Sequence, residues 1–496
     1  MLTLEAKIIA LYLLIMNIKL IKADKIDQSG NIVFITSKET VIDPSFFSKA
    51  EYNYIKEKIA KDDTFISINQ YNRFICIAIL DMAKKESNIL EDARKAGYKT
   101  QNILSDTSLK TISVYNPENH AESLIAFSEG FVLGTYSFSK YLKNKEDKKS
   151  LLEELKLVCK SLPVERVNHV SNIIEALFKV RDLVNEPASY LNAVKLANEF
   201  KKMGKEAGFS VEILNKSKIE SLKMGGLLAV NQGSVDPPTF TVMEWKPSNA
   251  INSKPYVLIG KGIVYDTGGL SLKPTSDSMD YMKSDMAGAA TATGIIYTIA
   301  KNKLPVYLVV LAPATDNRIS ATAYAPGDII TMMDGTTVEM VNSDAEGRMI
   351  LADALCYAKK YEPELVIDIA TLTGSAARAI GSYGLVAMGN ASDNIKKMLK
   401  DSGDRTYERI VEFPIWEDYA EMLKSDIADI KNVGGKQAGA ITAGKFLEHF
   451  TAFPWIHLDI AGVAFSKKND NYRKKGGTGF GMRLLCDFFY NICKKR

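Results

Sequence analysis

Histidine is scarce in this chain of 496 residues: four, all scattered. That excludes an HExxH motif and any zinc-finger spacing. Cysteine is nearly as rare. Cys76, Cys159 and Cys356 lie far apart, Cys486 and Cys493 fall in a tail with helical spacing, and none forms a CxxC pair. An odd count of five without paired spacing argues against a disulfide framework and for reduced thiols in a cytoplasmic protein. No excess of one charge is present either: the net charge of +4 is too small over this length to imply nucleic acid by itself. There is no GxxxxGK[ST] phosphate loop, no internal repeat and no low-complexity segment.

Long hydrophobic runs are also missing. The longest candidate near the start, KIIALYLLIM, is too short to span a bilayer, and no clean small-residue cleavage site follows it. Residues 1–15 therefore read as an N-terminal extension or a misassigned start. Met16 opens MNIKLIKADKIDQSGNIVFI, which predicts two strands around a Ser-Gly turn.

What is present is an ordinary globular balance, 46% hydrophobic and 25% charged, in a chain longer than one core usually serves. Residues 16–165 alternate strand-like runs (NIVFIT, RFICIAIL, TISVYN) with helical segments such as AESLIAFSEGFVLGTYSF, the pattern of an α/β domain. KNKEDKKS reads as a charged loop. Residues 166–187 read as a linker helix ended sterically by Pro187. Residues 188–496 form a second, larger α/β domain, with strands expected at PYVLIGKGIVYD, LPVYLVVLAPA, ELVIDIATLTG and WIHLDIAGVAF. In such sheets, ligands bind beyond the carboxyl ends of the strands, where the unusual residues gather.

Those residues fall in three stretches. NSDAEGR, Asn342 to Arg348, places Asp344 and Glu346 beside an arginine, just before the apolar-periodic run GRMILADALCYAKKY. Alone, it is an acidic helix start. GKGIVYDTGGLSLK carries Lys261, Asp266 and Lys273 among glycines; alone, it is a glycine turn with solvated lysines. MKSDMAGAATATG puts Asp285 before a run of small residues, as if a helix packs very close to something. Four carboxylates, Asp266, Asp285, Asp344 and Glu346, thus fall at strand ends or helix starts of one domain. Converging on one pocket, they could not all stay ionised without cations. Oxygen ligands suit Mg²⁺, Mn²⁺ or Zn²⁺, and four carboxylates suffice for two ions if some bridge.

Together these stretches, with DIATLTGSA, VNEPASYL, GGKQAGAITAGKFLEHF, WIHLDIAGVAF and GGTGFGMRLL, resemble the leucine aminopeptidase family, the cytosol aminopeptidases. The likeness runs nearly continuously from residue 180 to 490. Ser343 stands where the family usually has threonine, so a hydroxyl is kept. The resemblance implies a smaller N-terminal domain and a larger catalytic domain with a mixed central sheet flanked by helices. It implies two divalent ions per subunit, Mn²⁺ or Zn²⁺, held by Lys261 as a neutral amine, Asp266 and Glu346 as bridges, Asp285 on the lysine's ion, and Asp344 on the more exchangeable one. Lys273 is expected to face the substrate carbonyl, and Arg348 to hold a bicarbonate that shuttles a proton.

The resemblance further implies an apolar pocket for the substrate's first side chain, involving Met282, Thr371, Leu372, Gly374, Ala461 and Ala464. The substrates would be peptides with a free α-amine, leucine and other apolar first residues being preferred. With no evident nucleophile, direct attack by water is expected. A homohexamer in the cytoplasm, with no membrane association, completes the expectation. Some relatives also bind DNA, but that needs a basic stripe, and the lysines of NYRKKGG and CKKR are mixed with acids elsewhere, which argues against a nucleic-acid partner.

Overall fold

The computed structural model describes residues 18–105, 107–143 and 151–495. The apolar run KIIALYLLIM and the charged run after Lys143 lie outside the described residues. The chain divides into two units. One runs as far as Glu175 and also takes Asn469–Lys474; the other comprises Ala176–Lys468 and Lys475–Arg496. The division falls inside the helix Val164–Asn185.

The first unit holds six strands: β1 (Lys19–Ala23), β2 (Asn31–Thr36), β3 (Phe65–Asn69), β4 (Phe74–Ile79), β5 (Thr111–Tyr115) and β6 (Glu154–Val158), in the order β1-β6-β5-β2-β4-β3. All neighbours are parallel except β3 and β4. The two strands expected around the Ser-Gly turn both form, but they do not pair with each other: β1 joins β6 and β2 lies between β5 and β4. Parallel pairing needs long crossovers, so a short turn cannot join neighbours here. The helices Glu86–Leu104 and Ala121–Gly134 pack on this sheet's unit. Against Glu86–Leu104 lies the outlying segment, where the Tyr472 hydroxyl donates to Glu91 Oε2 at 2.7 Å and Arg473 reaches Glu91 Oε1 at 3.3 Å.

The second unit is built on a mixed sheet. Its strands are β7 (Ser210–Leu214), β8 (Thr239–Trp245), β9 (Tyr256–Gly260), β10 (Gly262–Asp266), β11 (Leu308–Asn317), then β12 (Ile329–Thr331) and β13 (Thr337–Glu339) of a small side sheet, β14 (Leu365–Ala370), β15 (Leu385–Gly389), β16 (Ile410–Glu412), β17 (Ile430–Lys431) of the side sheet, and β18 (Trp455–Asp459). The main order is β16-β15-β18-β14-β9-β11-β8-β7, with β10 on β11. The centre, β18-β14-β9-β11, is parallel. These strands are buried throughout, which explains their near-continuous apolar runs where a one-sided strand would alternate. The edges β8 and β7 are antiparallel.

Helices cover the sheet, Ala287–Lys301 and Gly347–Ala358 among them, both buried along nearly their whole length. The small residues after Asp285 do allow the close approach expected: a Cβ added to Gly288 would lie 2.0 Å from the Ile369 carbonyl. The core combines Val257, Ile259, Leu311, Val366 and Trp455 of the sheet with Met349, Leu351, Leu355, Phe446 and Phe450 of the helices. Each such side chain contributes about 1.5–3 kcal/mol by leaving water. This core fixes the carboxyl ends of β9, β10, β11, β14 and β18 in one region.

Candidate metal centre

Six charged side chains meet at those strand ends. Lys261 follows β9; its backbone donates to Ile369 O at 3.1 Å and accepts from Ala289 N at 2.9 Å. Its ammonium lies 2.9 Å from Asp285 Oδ2 and 2.9 Å from Glu346 Oε1, and donates to Thr371 O at 3.0 Å. Asp266 ends β10. Its Oδ1 accepts from Gly268 N at 2.8 Å and Asn317 Nδ2 at 2.9 Å, while Oδ2 lies 2.9 Å from Lys273 Nζ. Lys273 also pairs with Asp344. Carboxylate oxygens of Asp266, Asp344 and Glu346 all fall within 4.8 Å of one another. Asp285 joins through Lys261 and accepts from the Thr371 hydroxyl at 2.7 Å.

The helix-cap alternative fails on geometry. Glu346 occupies the N-cap position of Gly347–Ala358 but has helical backbone angles and makes no side-chain capping bond. Asp285 precedes the helix Ala287–Lys301, whose N-cap is Met286, again without a capping bond. The carboxylates face one another instead.

Such crowding is costly without a cation. Burial and the neighbouring Asp266 push Glu346 up to about 8, against some relief from Lys261. Burial likewise raises Asp285 to about 6, and raises Asp344. Burial alone would lower both lysines, but Asp285, Glu346 and Asp266 outweigh it at Lys261, and Asp266, Glu346 and Asp344 at Lys273, so each ammonium is held above its ordinary value. Glu346 Oε2 is buried and has no hydrogen-bond partner. A buried carboxylate oxygen left bare beside two further carboxylates could seat a cation, and the donor set, four carboxylates and one amine, fits one or two divalent ions.

Arg348 stands apart from this network. It is buried, its Nη1 donates to Asn432 O at 2.5 Å, and its Nε has no partner. No carboxylate lies within ion-pair distance of it among the described residues. Burial lowers the guanidinium to about 10, which Glu346, Asp459 and Asp344 partly oppose.

The remaining expected residues lie around the same strand ends. Met282 is half-buried in the short helix Met279–Ser284, and its carbonyl accepts from Asp285 N at 3.2 Å. Thr371 and Leu372 follow β14, Gly374 opens the helix Gly374–Ile380, and Ala461 and Ala464 follow β18. Ala464 is buried, Ala461 half-buried and Gly374 exposed.

Three residues at the site escaped the sequence reading. Asn317, fully buried at the end of β11, bonds Asp266 and also Ser343 O at 3.0 Å. Tyr324 donates to the same Ser343 carbonyl at 2.7 Å. Asp459 ends β18 and binds the backbone of the loops after β14 and β18. Asn317 and Tyr324 are single polar residues outside any quoted motif, and Asp459 sits inside WIHLDIAGVAF, where it reads only as the polar end of a strand. Ser343 keeps the function of a hydroxyl here, donating to Gly268 O at 2.7 Å and accepting from Ser271 N at 2.8 Å.

The chain is similar to known proteins over most of its length. Residues 178–486 match the catalytic domain of the cytosol aminopeptidase family. The chain is 37% identical over 454 residues to the "Probable cytosol aminopeptidase" of Geotalea uraniireducens, covering 90% of this chain and 91% of that one. It is 44% identical over 381 residues to that of Chloroherpeton thalassium, 73% and 74% of the two chains. Among solved structures it is similar to the bottromycin maturation enzyme BotP in complex with Mn, with a TM-score of 0.81 and 26% identity over 93% of this chain and 99% of that one. The chain belongs to the cytosol aminopeptidase family and is a peptidase of the aminopeptidase class.

Proposed function

We propose that the protein is a dinuclear metal-dependent aminopeptidase that removes leucine and other apolar residues from peptide N-termini. The observation that carries this is the convergence of Asp266, Asp344 and Glu346 within 4.8 Å, with Lys261 and Asp285 beside them. Lys261, Asp266, Asp285, Asp344 and Glu346 would hold two ions, Mn²⁺ or Zn²⁺; the structural relative in complex with Mn supports this choice. Bound there, such ions acidify water towards neutral pH and polarise a carbonyl oxygen.

The chain's own groups supply the rest. Lys273, held protonated by its carboxylate neighbours, would donate to the oxygen that becomes negative as the peptide carbonyl is attacked. Arg348, fixed by Asn432 O, would hold a bicarbonate, which would supply general-base and then general-acid chemistry at the site. The pocket formed by Met282, Thr371, Leu372, Gly374, Ala461 and Ala464 would take the first side chain, with Met282 adapting to its shape. The free α-amine would be read at the ions, confining cleavage to the first peptide bond. No helix among the described residues is long and apolar enough to cross a membrane. A cytoplasmic homohexamer, the family's assembly, is the form expected in solution; light scattering that finds a fully active monomer at micromolar concentration would refute it.

The deciding assay uses leucine amide and its N-acetylated form. Chelation should abolish hydrolysis of the former and Mn²⁺ or Zn²⁺ restore it. Equal cleavage of the acetylated compound would defeat the amine-reading step.

A further inference from the structure

Two loops carry most of the pocket. One follows β14 and bears Thr371, Leu372 and Gly374; the other follows β18 and bears Ala461 and Ala464. β14 and β18 are parallel neighbours, Ala370 opposite Asp459, so the loops leave the sheet side by side. One carboxylate joins them. Asp459 Oδ1 accepts from Leu372 N at 3.2 Å and from Ala461 N at 3.1 Å, and Oδ2 accepts from the Thr373 hydroxyl at 2.7 Å. The same hydroxyl accepts from Ala376 N at 3.0 Å, starting the helix Gly374–Ile380. Asp459 is 1% exposed, so these bonds are not shared with bulk water.

An aspartate is well suited to this place. A carboxylate accepts several hydrogen bonds and donates none, and all three facing groups are donors. Bonds to a charged acceptor are also shorter and stronger than neutral ones. Among the described residues its carboxylate makes no hydrogen bond or ion pair with a proposed metal ligand; it hydrogen-bonds the two loops, and its charge also acts on Arg348.

We propose that Asp459 is a positioning residue that sets the separation of the two loops and so the size selectivity for the substrate's first side chain. The inference rests on the aminopeptidase reading for its substrate class, but the clamp itself does not. Removing the carboxylate strands two amide N–H groups and a hydroxyl, and the loops must then relax to satisfy them.

The test compares Asp459→Ala and Asp459→Asn with the unaltered protein, in metal-loaded form, on leucine amide and alanine amide. Asp459→Ala should raise KM for leucine amide about ten-fold and narrow the leucine-over-alanine ratio by a similar factor, the scale of a change in pocket fit. Its kcat should move less and its metal content not at all. Asp459→Asn retains an acceptor oxygen for both amides and should recover most of the selectivity. Hydrogen exchange over 370–376 and 459–464 should quicken in the alanine variant whether or not any substrate is cleaved. An unchanged ratio, a loss of metal or unchanged exchange would each overturn the inference. Should Asp459→Ala not fold, Thr373→Val removes one of the three bonds and should shift the ratio in the same direction; no shift there overturns it equally. An unaltered protein inert towards both amides would sink the aminopeptidase reading alone, and exchange would still decide the clamp.

Discussion

The Lys261 ammonium rests on the bare face of Gly347: a Cβ at residue 347 would lie 2.6 Å from Nζ and 2.5 Å from Cε. The residue after Glu346 is thus a glycine because the lysine occupies the space a side chain would need. Gly347→Ala must push Lys261 off Asp285 and Glu346, and a displacement near 1 Å at a reacting centre costs about 10²-fold in rate. Metal analysis and circular dichroism on one sample should show a weakened ion beside an intact fold. Full activity would mean the lysine has no fixed station.

Lys261→Arg probes the same station chemically. A lysine can lose its proton on meeting a cation, whereas a guanidinium cannot. The variant should hold its second ion much more weakly while keeping its secondary structure. Two tightly bound ions with unchanged turnover would make Lys261 a counter-charge only.

Arg348→Ala should keep its metals, because the guanidinium bonds Asn432 O and no carboxylate. Loss of an anion serving as proton carrier should cost roughly 10²–10⁴-fold. Added bicarbonate should speed the unaltered enzyme and leave the variant nearly unmoved. A variant that sheds its ions would assign Arg348 to structure.

The metal-free protein should weaken as pH rises. Glu346, with an ordinary value of 4.5, is pushed to about 8 in the folded state, mainly by burial and Asp266; Asp285 moves by burial from 3.8 to about 6. Between these limits the folded chain keeps protons that the unfolded chain releases, so this contribution is complete below about pH 4 and disappears by about pH 8. Melting temperature in the presence of chelator should fall across pH 5–8, and Glu346→Gln should flatten that fall. Mn²⁺ should raise the melting temperature more at pH 8 than at pH 5, since ion and proton compete for the same oxygens. The opposite order would contradict the crowded-carboxylate geometry.

The six clustered charges were legible because each sits in a short, peculiar stretch at a strand end or a helix start. The central strands were legible because burial on both faces leaves long apolar runs in β9, β11, β14 and β18. The pairing of β1 with β6 was not, since partners more than a hundred residues apart leave no local mark. Asn317 and Asp459 were invisible for a related reason. Each gains meaning only when the sheet order sets β11 beside β10, or β18 beside β14. The metal-ligand roles, too, came from likeness to a family and not from spacing; geometry alone supports a cation seat without dividing labour among the carboxylates.

The short segment Asn469–Lys474 has a consequence for synthesis. It belongs to the first unit, through Tyr472 and Arg473 on Glu91, yet it leaves the ribosome only after the second unit's residues Ala176–Lys468. N-terminal domains generally fold first as the chain emerges. Here the first unit must wait for the second unit's residues up to Lys468 before Glu91 gains those two partners. Neither unit can be excised by a single cut, and a gene broken at residue 175 would export six residues of one body inside the other.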